Sequence, residues 1–277
     1  MARAFVTVDG CRLEYEWHSP SATPARTIVF LHEGLGSITQ WRDFPAALCA
    51  RTGCAGLVYN RRGYGGSDTC GSAPFSPGFL HREALEILPR LLETFNIDHP
   101  VLLGHSDGGS IALIYAGSAL GSPDALILEA PHVFVEEITV AQIAKAKPSY
   151  STSQLRARLA RHHGANVDRL FDGWTGVWLS DEFREWNIEG YLPRISCPTL
   201  VIQGRDDEYG TLRQVAAIER GIGPIVKTLV LDDCHHSPHV DQRATTDRAI
   251  VAFLEELPPV FKTDRGGALP LSGQSRE

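Results

Sequence analysis

Residues 101–110 have the sequence Val-Leu-Leu-Gly-His-Ser-Asp-Gly-Gly-Ser, and this stretch decides the fold. A short apolar run leads into a Gly-x-Ser-x-Gly pentamer, and a helical pattern over residues 111–116 follows it. This order of strand, sharp turn and helix is typical of a nucleophile elbow, in which a serine stands at the carboxyl edge of a sheet. Glycines on both sides of the turn remove the Cβ atoms that would clash there. The stretch therefore predicts that Ser106 is a nucleophile.

Further strand patterns lie on both sides of the elbow. A predicted hairpin opens the chain, and buried apolar runs separated by helical patterns follow it. The predicted strands are residues 5–8, 13–17, 27–31, 53–59, 101–104, 125–130, 198–204 and 226–231. Apolar strands that alternate with helices indicate a parallel sheet covered on both faces. We expect an α/β protein with a mostly parallel sheet of about eight strands and helices on both faces.

The alternation of strands and helices breaks in the middle of the chain. Residues 133–193 contain helical patterns and many aromatic side chains, and no strong strand pattern. We expect residues 1–132 and 194–257 to form the core, with residues 133–193 inserted as a helical lid. The lid aromatics are expected to serve mainly as the core of this small helical unit. Residues 258–277 are rich in Pro, Gly, Ser and charge, and are predicted to be a disordered tail.

Composition limits the partners of the protein. The 277 residues carry a formal net charge of −7, which provides no basic footprint for nucleic acid. No apolar run is long enough to span a membrane, and the first residues lack the apolar core of a signal peptide. The six cysteines form no Cys-x-x-Cys pair and are expected to be reduced. We expect a cytoplasmic protein with a small-molecule substrate and no nucleic-acid or membrane partner, and a homodimer is considered.

Ser106 needs a base, a group that orients the base, and donors for an oxyanion. Two carboxyl groups, Asp206 and Asp207, follow one predicted strand, and two histidines, His235 and His236, follow the next. Because the carboxyl ends of parallel strands meet at one edge of a sheet, these side chains are expected to lie near Ser106.

The chain resembles the α/β-hydrolase superfamily from its first strand to about residue 257. It is similar to the compact bacterial members that include carboxylesterases, cofactor-free haloperoxidases and meta-cleavage C–C hydrolases. Five motifs carry the resemblance: His-Glu-Gly at 32–34, Asn-Arg-Arg-Gly-Tyr-Gly-Gly-Ser at 60–67, Gly-His-Ser-Asp-Gly at 104–108, Gly-Arg-Asp-Asp at 204–207 and His-Ser-Pro at 236–238.

The resemblance implies a role for each matching residue. Ser106 is the nucleophile, Asp207 the acid and His236 the general base of a Ser-Asp-His triad, in the chain order of that superfamily. The backbone N–H groups of Gly34 and Asp107 form the oxyanion hole. No cofactor is implied.

Three positions depart from the family pattern. Glu33 replaces the glycine that often follows the first histidine, and a buried carboxylate there opposes oxyanion formation unless it is paired or points away. Asn60 stands where aspartate is usual, and His235 stands where glycine often precedes the base. Asp206 therefore stays open as the acid, and His235 and His239 stay open as the base.

The substrate is expected to have an apolar part, because the predicted lid is apolar. The predicted substrate-binding residues are Glu33, Leu35, Trp174 and Trp178. No metal is expected, although Cys234 and three histidines are crowded near residue 236. Adjacent histidines on one loop point apart, and no ligand spacing such as His-Glu-x-x-His occurs.

The predicted activity is two-step hydrolysis of a small carboxylic ester through an acyl-enzyme. A C–C hydrolase of a diketone-like acid is an alternative, with Arg42, Arg61 or Arg184 binding the substrate carboxylate. A cofactor-free haloperoxidase or perhydrolase is a second alternative, with the same triad. A non-catalytic small-molecule binding protein is the alternative from another class, because a fold does not determine a function.

Overall fold

The computed structural model describes residues 3–20, 24, 26–69 and 75–259. Eight strands form one sheet in the order β1-β2-β4-β3-β5-β6-β7-β8. Their bounds are β1 (Ala4–Val8), β2 (Cys11–His18), β3 (Thr27–Leu31), β4 (Ala55–Tyr59), β5 (Val101–His105), β6 (Ala125–Glu129), β7 (Thr199–Gly204) and β8 (Val226–Leu231). β2 pairs antiparallel with β1 and β4, and all other pairs are parallel. The predicted eight-stranded, mostly parallel sheet is confirmed.

Helices cover both faces of the sheet. Their bounds are α1 (Phe44–Thr52), α2 (Phe79–Arg82), α3 (Leu88–Thr94), α4 (Asp107–Ala116), α5 (Glu137–Thr152), α6 (Leu155–His163), α7 (Val167–Trp178), α8 (Asp181–Arg184), α9 (Leu212–Ile222), α10 (Pro238–Asp241) and α11 (Arg243–Glu255). A π-helical turn, Glu83–Ile87, joins α2 to α3. Residues 79–94 are therefore helical throughout, but they are not α-helical in the middle.

β5 lies at the centre of the sheet, between β3 and β6. All five of its residues are buried. Leu102 joins the apolar cluster on one face of the sheet, and Leu103 joins the cluster on the other face. Because each buried leucine contributes about 2 kcal/mol of transfer free energy, this strand is held firmly from both faces. The turn that follows β5 therefore starts from a fixed position.

A helical segment with α5, α6, α7 and α8 separates β6 from β7. Its helices are joined by aromatic contacts. The rings of Tyr150 and Phe171 stack with their centroids 3.8 Å apart, which joins α5 to α7. The ring of Trp178 packs edge-on against Phe183, with centroids 4.9 Å apart. Tyr150 and Phe171 belong to a small apolar cluster within this segment, whereas Trp178 and Phe183 belong to the apolar cluster on one face of the sheet.

Three further expectations concern membrane-spanning helices, the state of the cysteines and the predicted tail. Among the described helices, none is long and apolar enough to cross a membrane. Cys49, Cys54, Cys197 and Cys234 are free, but Cys11 is disulfide-bonded. The expectation that all six cysteines are reduced is wrong for Cys11, because spacing along the chain does not show which cysteines the fold brings together. The predicted tail lies outside the described residues from position 260 onward.

Candidate active site

The turn between β5 and α4 places Ser106 at the carboxyl edge of the sheet. Its backbone has φ 54° and ψ −118°, a strained conformation for a residue with a side chain. A Cβ atom on Gly104 would lie 2.3 Å from the carbonyl oxygen of Gly108, and one on Gly108 would lie 1.9 Å from that of Leu31. Only glycine fits at either position, so the pentamer is required by close backbone packing.

His236 and Asp207 meet beside this turn. The Nδ1 atom of His236 lies 2.9 Å from each carboxylate oxygen of Asp207. This contact leaves Nε2 as the ring nitrogen that can take a proton from Ser106, and both side chains line the same cavity. No hydrogen bond between Ser106 and His236 is present within the described structure. Such contacts often tighten only when substrate binds.

The carboxylate of Asp207 is buried and fully hydrogen-bonded. Gln203 Nε2 donates to it at 2.6 Å and the backbone N–H of Tyr209 at 2.7 Å. Burial raises the pKa of this carboxyl, but His236 and the backbone donor outweigh burial, so the pKa of Asp207 is lowered. An ionised carboxylate therefore faces the imidazole and can hold it in one tautomer.

The alternative acid and bases lie elsewhere. Asp206 is exposed. His235 has a side chain that is 64% exposed and lies 3.7 Å from Asp241. The third candidate, His239, is bound through Nδ1 to Glu129 at 2.6 Å. Of the side chains considered for acid and base, the structure brings together only Asp207 and His236.

Two backbone donors face the same region. The N–H groups of Gly34 and Asp107 have no hydrogen-bond partner among the described residues. Asp107 is the first residue of α4, so its N–H lies at the positive end of a helix dipole. Arg61 fixes the loop that carries Gly34 by donating from Nη2 to the backbone oxygen of Glu33 at 2.8 Å. Both donors are thus free to bind a developing oxyanion.

α7 covers the predicted oxyanion loop from above. A Cβ atom on Gly34 would lie 2.2 Å from Nε1 of Trp174. The indole therefore rests directly on the glycine backbone. This contact connects the helical segment between β6 and β7 to the edge of the sheet where Ser106 lies.

A cavity of about 110 Å³ opens beside Ser106. The predicted substrate-binding residues all lie in its wall: Glu33, Leu35, Trp174 and Trp178. The wall also contains Thr139, Ile143, Tyr209 and His132, which were not predicted. Among the described residues, no Arg or Lys side chain lines this cavity.

Glu33 lines the same cavity as Ser106, the predicted nucleophile, but it is paired. Its carboxylate lies 3.5 Å from Nδ1 of His105, and Nε2 of His105 donates to the backbone oxygen of His236 at 2.7 Å. Burial lowers the pKa of His105, but Glu33 and then Glu129 raise it by more than burial lowers it, so the pKa is about 9. Burial likewise raises the pKa of Glu33, and His105 more than offsets it, so that pKa is strongly lowered. An ion pair therefore neutralises the carboxylate that departs from the family pattern.

His132 is one of the four cavity residues that were not predicted from the sequence. It lies three residues beyond β6, with its ring centroid 5.8 Å from that of His236. The rule that selected Asp207 and His236, namely position just beyond the carboxyl end of a strand, also selects His132. That signal was available in the sequence.

The three arginines considered for a substrate carboxylate are not in the cavity. Arg42 is exposed. Arg61 is 3% exposed, holds the loop at Glu33 and lies 3.6 Å from Asp107. The third, Arg184, pairs with Glu137 at 2.9 Å. Within the described ranges, no three His, Cys, Asp or Glu side chains are grouped to hold a metal ion.

Residues 28–249 match the model of the alpha/beta hydrolase family. The chain is 30% identical over 126 residues to the sn-1-specific diacylglycerol lipase ABHD11 of Danio rerio. That match covers 46% of this chain and 34% of the relative, so the chain spans about a third of the length of this relative.

Solved structures share the fold. An enol-lactonase from Burkholderia xenovorans LB400 superposes with a TM-score of 0.70 at 20% identity, covering 91% of this chain and 100% of that one. A carboxylesterase from Nitrososphaera gargenis superposes with a TM-score of 0.73 at 22% identity, covering 92% of this chain and 98% of that one.

Proposed function

Because this chain belongs to the alpha/beta hydrolase family, we propose that it is a serine hydrolase that cleaves a small carboxylic ester with an apolar part. One observation carries the proposal. His236, oriented by Asp207 at 2.9 Å, lines the same cavity as Ser106, which stands in a strained turn beside two free backbone donors.

The proposed reaction has two steps. His236 Nε2 takes the proton of the Ser106 hydroxyl as the oxygen attacks the ester carbonyl carbon, and the N–H groups of Gly34 and Asp107 bind the oxyanion. The imidazolium then gives its proton to the leaving alcohol as the C–O bond breaks. In the second step His236 takes a proton from water as the water oxygen attacks the acyl carbon. The imidazolium then returns this proton to the Ser106 oxygen as the acyl C–O bond breaks, which releases the carboxylic acid and restores the enzyme.

The cavity wall supports a neutral substrate with an apolar part. Leu35, Ile143, Trp174 and Trp178 provide apolar surface. Three of these side chains come from residues 133–193, and the proposal includes this segment as a lid over the site. Its closure excludes water while the acyl-enzyme forms.

Two of the alternatives use the same three catalytic side chains. A diketone-like acid needs a cation for its carboxylate, and the cavity wall formed by the described residues contains no Arg or Lys. The names of the similar proteins support the ester, since a lipase, a lactonase and a carboxylesterase all act on ester bonds. Perhydrolysis uses the same acyl-enzyme and differs only in that hydrogen peroxide, not water, accepts the acyl group. An assay with hydrogen peroxide therefore distinguishes it from hydrolysis.

The test is a set of p-nitrophenyl esters with acyl chains of two to eight carbons. The proposal predicts a burst of p-nitrophenol equal to one per active site, and an acyl adduct on the peptide that contains Ser106. Parallel assays use a vinylogous diketone acid and hydrogen peroxide with acetate. Turnover of the diketone acid without ester turnover would favour the C–C hydrolase and contradict the proposal.

Two further expectations concern the location and the oligomeric state of the protein. A cytoplasmic location is tested by fractionation of cells that express the native gene. The disulfide at Cys11 argues against this location, because disulfides are rare in a reducing compartment. A homodimer stays a prediction, and light scattering during gel filtration measures the mass in solution.

A further inference from the structure

The cavity wall contains one polar side chain that the proposed reaction does not use. His132 is 2% exposed and lines the cavity together with Ser106 and His236. Neither ring nitrogen of His132 has a hydrogen-bond partner among the described residues, and Nδ1 is enclosed by protein. Nε2 is not enclosed, so it is the ring nitrogen that an occupant of the cavity can reach and provide with a partner.

The position of this ring is fixed by its surroundings. The Ser110 hydroxyl donates to the backbone oxygen of His132 at 2.7 Å, and Gln214 binds the next backbone N–H at 2.8 Å. The ring packs edge-on against Trp178, with centroids 5.5 Å apart. The ring is therefore held in place beside the predicted base before any substrate enters.

The ring is also neutral and offers a donor. Burial and the neighbouring His236 lower the pKa of His132 to about 3. A neutral imidazole has one N–H donor and one acceptor nitrogen. Because Nδ1 is enclosed with no acceptor beside it, the proton is better placed on Nε2. The N–H on Nε2 is then a donor that this part of the wall offers to the cavity.

We propose that His132 is a specificity-determining residue that donates a hydrogen bond from Nε2 to a second oxygen atom of the substrate. This oxygen is separate from the ester group that Ser106 attacks, and the inference rests on the proposed function. The substrate class is then an ester or lactone that carries a keto, ether or hydroxyl oxygen beside its apolar part. A neutral acceptor fits better than a carboxylate, because Glu33 and Asp107 are the charged residues of the wall.

The test measures binding without turnover, on the Ser106→Ala protein. Methyl pentanoate is compared with methyl 3-methoxypropanoate, methyl ethoxyacetate and methyl 4-oxopentanoate, which have the same chain length and one additional acceptor oxygen. His132→Phe is added to remove both nitrogens, and His132→Gln to restore a donor. His99→Phe is the matched control, because His99 is an exposed histidine outside the cavity.

In His132→Phe, at least one oxygenated ester should bind about five- to tenfold more weakly relative to methyl pentanoate. This fold-change corresponds to the loss of one hydrogen bond. His132→Gln should restore part of that preference, and His99→Phe should not change it. For each oxygenated ester, the ratio of its affinity to that of methyl pentanoate is compared with the same ratio in the Ser106→Ala protein. The inference is overturned if His132→Phe leaves all three ratios within about twofold, or weakens the binding of every ester equally. Thermal melting shows whether each variant is folded.

The same esters are also assayed for hydrolysis by the protein with Ser106 intact. If none is hydrolysed but the binding preference depends on His132, the ester chemistry fails and the assignment of His132 stands. If all are hydrolysed and the ratios do not depend on His132, the chemistry stands and the assignment fails. The two failures are therefore distinguishable.

Discussion

The Glu33 carboxylate lies 3.5 Å from Nδ1 of His105, the residue directly before the predicted nucleophile. The other ring nitrogen of His105 donates to the backbone of His236 at 2.7 Å. One ion pair therefore connects the predicted oxyanion loop, the elbow and the loop of the predicted base. It also explains how a carboxylate is accommodated beside a predicted oxyanion site.

Replacing Glu33 by Gln should remove the charge that keeps His105 protonated. The folded-state pKa of His105 is raised to about 9. Its contribution to the free energy of unfolding is thus complete below pH 6.5 and is lost as the pH rises to about 9. We expect Glu33→Gln to be less stable by about 2 kcal/mol at pH 6, with a smaller difference at pH 9.5.

Urea unfolding at both pH values measures this effect, and NMR of labelled histidine follows the titration of His105. Glu93→Gln is the control, since Glu93 is exposed on α3. An unchanged titration of His105 in Glu33→Gln would show that the pair does not form in solution.

The adjacent carboxyls Asp206 and Asp207 should behave very differently. Asp207→Asn keeps the size of the side chain but loses the charge that orients His236, so kcat should fall about 10³- to 10⁴-fold. Asp206 is exposed, and Asp206→Asn should stay within about twofold of wild type. Ester hydrolysis by the two variants provides the comparison. Equal losses in both would remove Asp207 from its assigned role.

Adding one methyl group at Gly34 should disturb the predicted oxyanion loop. The new Cβ would lie 2.2 Å from the Trp174 indole, so either the loop or α7 must shift. We expect Gly34→Ala to lower kcat/KM at least tenfold, because oxyanion donors act only at the correct distance. Trp174→Ala in the same chain should recover part of this loss by removing the clash.

Gly176 provides the matched control for that substitution. It is exposed on α7, and no atom lies within 4 Å of an added Cβ. Gly176→Ala should leave kcat/KM unchanged and increase helix stability by up to about 1 kcal/mol. If Gly34→Ala were equally harmless, the close contact with Trp174 would be absent in solution.

His163 connects α6 to two loops of the core, and this connection should depend on pH. Its Nδ1 accepts from the backbone N–H of Gly65 at 3.1 Å, and its Nε2 donates to the backbone oxygen of Leu35 at 3.0 Å. Burial lowers the pKa of His163 below 6.5. The neutral ring is therefore the bound form, and stability from this contact is lost as the pH falls below that value.

Hydrogen exchange detected by mass spectrometry tests this contact. The Gly65 amide should exchange faster at pH 5 than at pH 7, after correction for the intrinsic rate. In His163→Ala it should exchange fast at both pH values, and His99→Ala should match wild type. Slow exchange of Gly65 in His163→Ala at pH 7 would contradict the account.

The sheet and the elbow could be predicted because their signals are local. Apolar runs mark buried strands, and the glycines around Ser106 mark a turn that tolerates no Cβ atoms. Asp207 and His236 followed from their position beyond strand ends, and from the family resemblance. Their exposed neighbours, Asp206 and His235, carry the same local signal, so only the fold separates each pair.

Other features depend on contacts between distant parts of the chain. The pairing of Glu33 with His105 joins positions 72 residues apart, and no pattern in the sequence indicates it. The contact of Trp174 with Gly34 depends on how α7 packs over the sheet. The disulfide at Cys11 likewise depends on which residues the fold brings together. These features required the structure.

The most direct test of the central claim compares hydrolysis of p-nitrophenyl butyrate by wild type and by Ser106→Ala. The account predicts that wild type hydrolyses the ester and that the variant loses several powers of ten in kcat, because triad members act as a unit. Ser118→Ala, at the end of α4, should retain full activity. Undiminished hydrolysis by Ser106→Ala would show that Ser106 is not the nucleophile and would contradict the account at its centre.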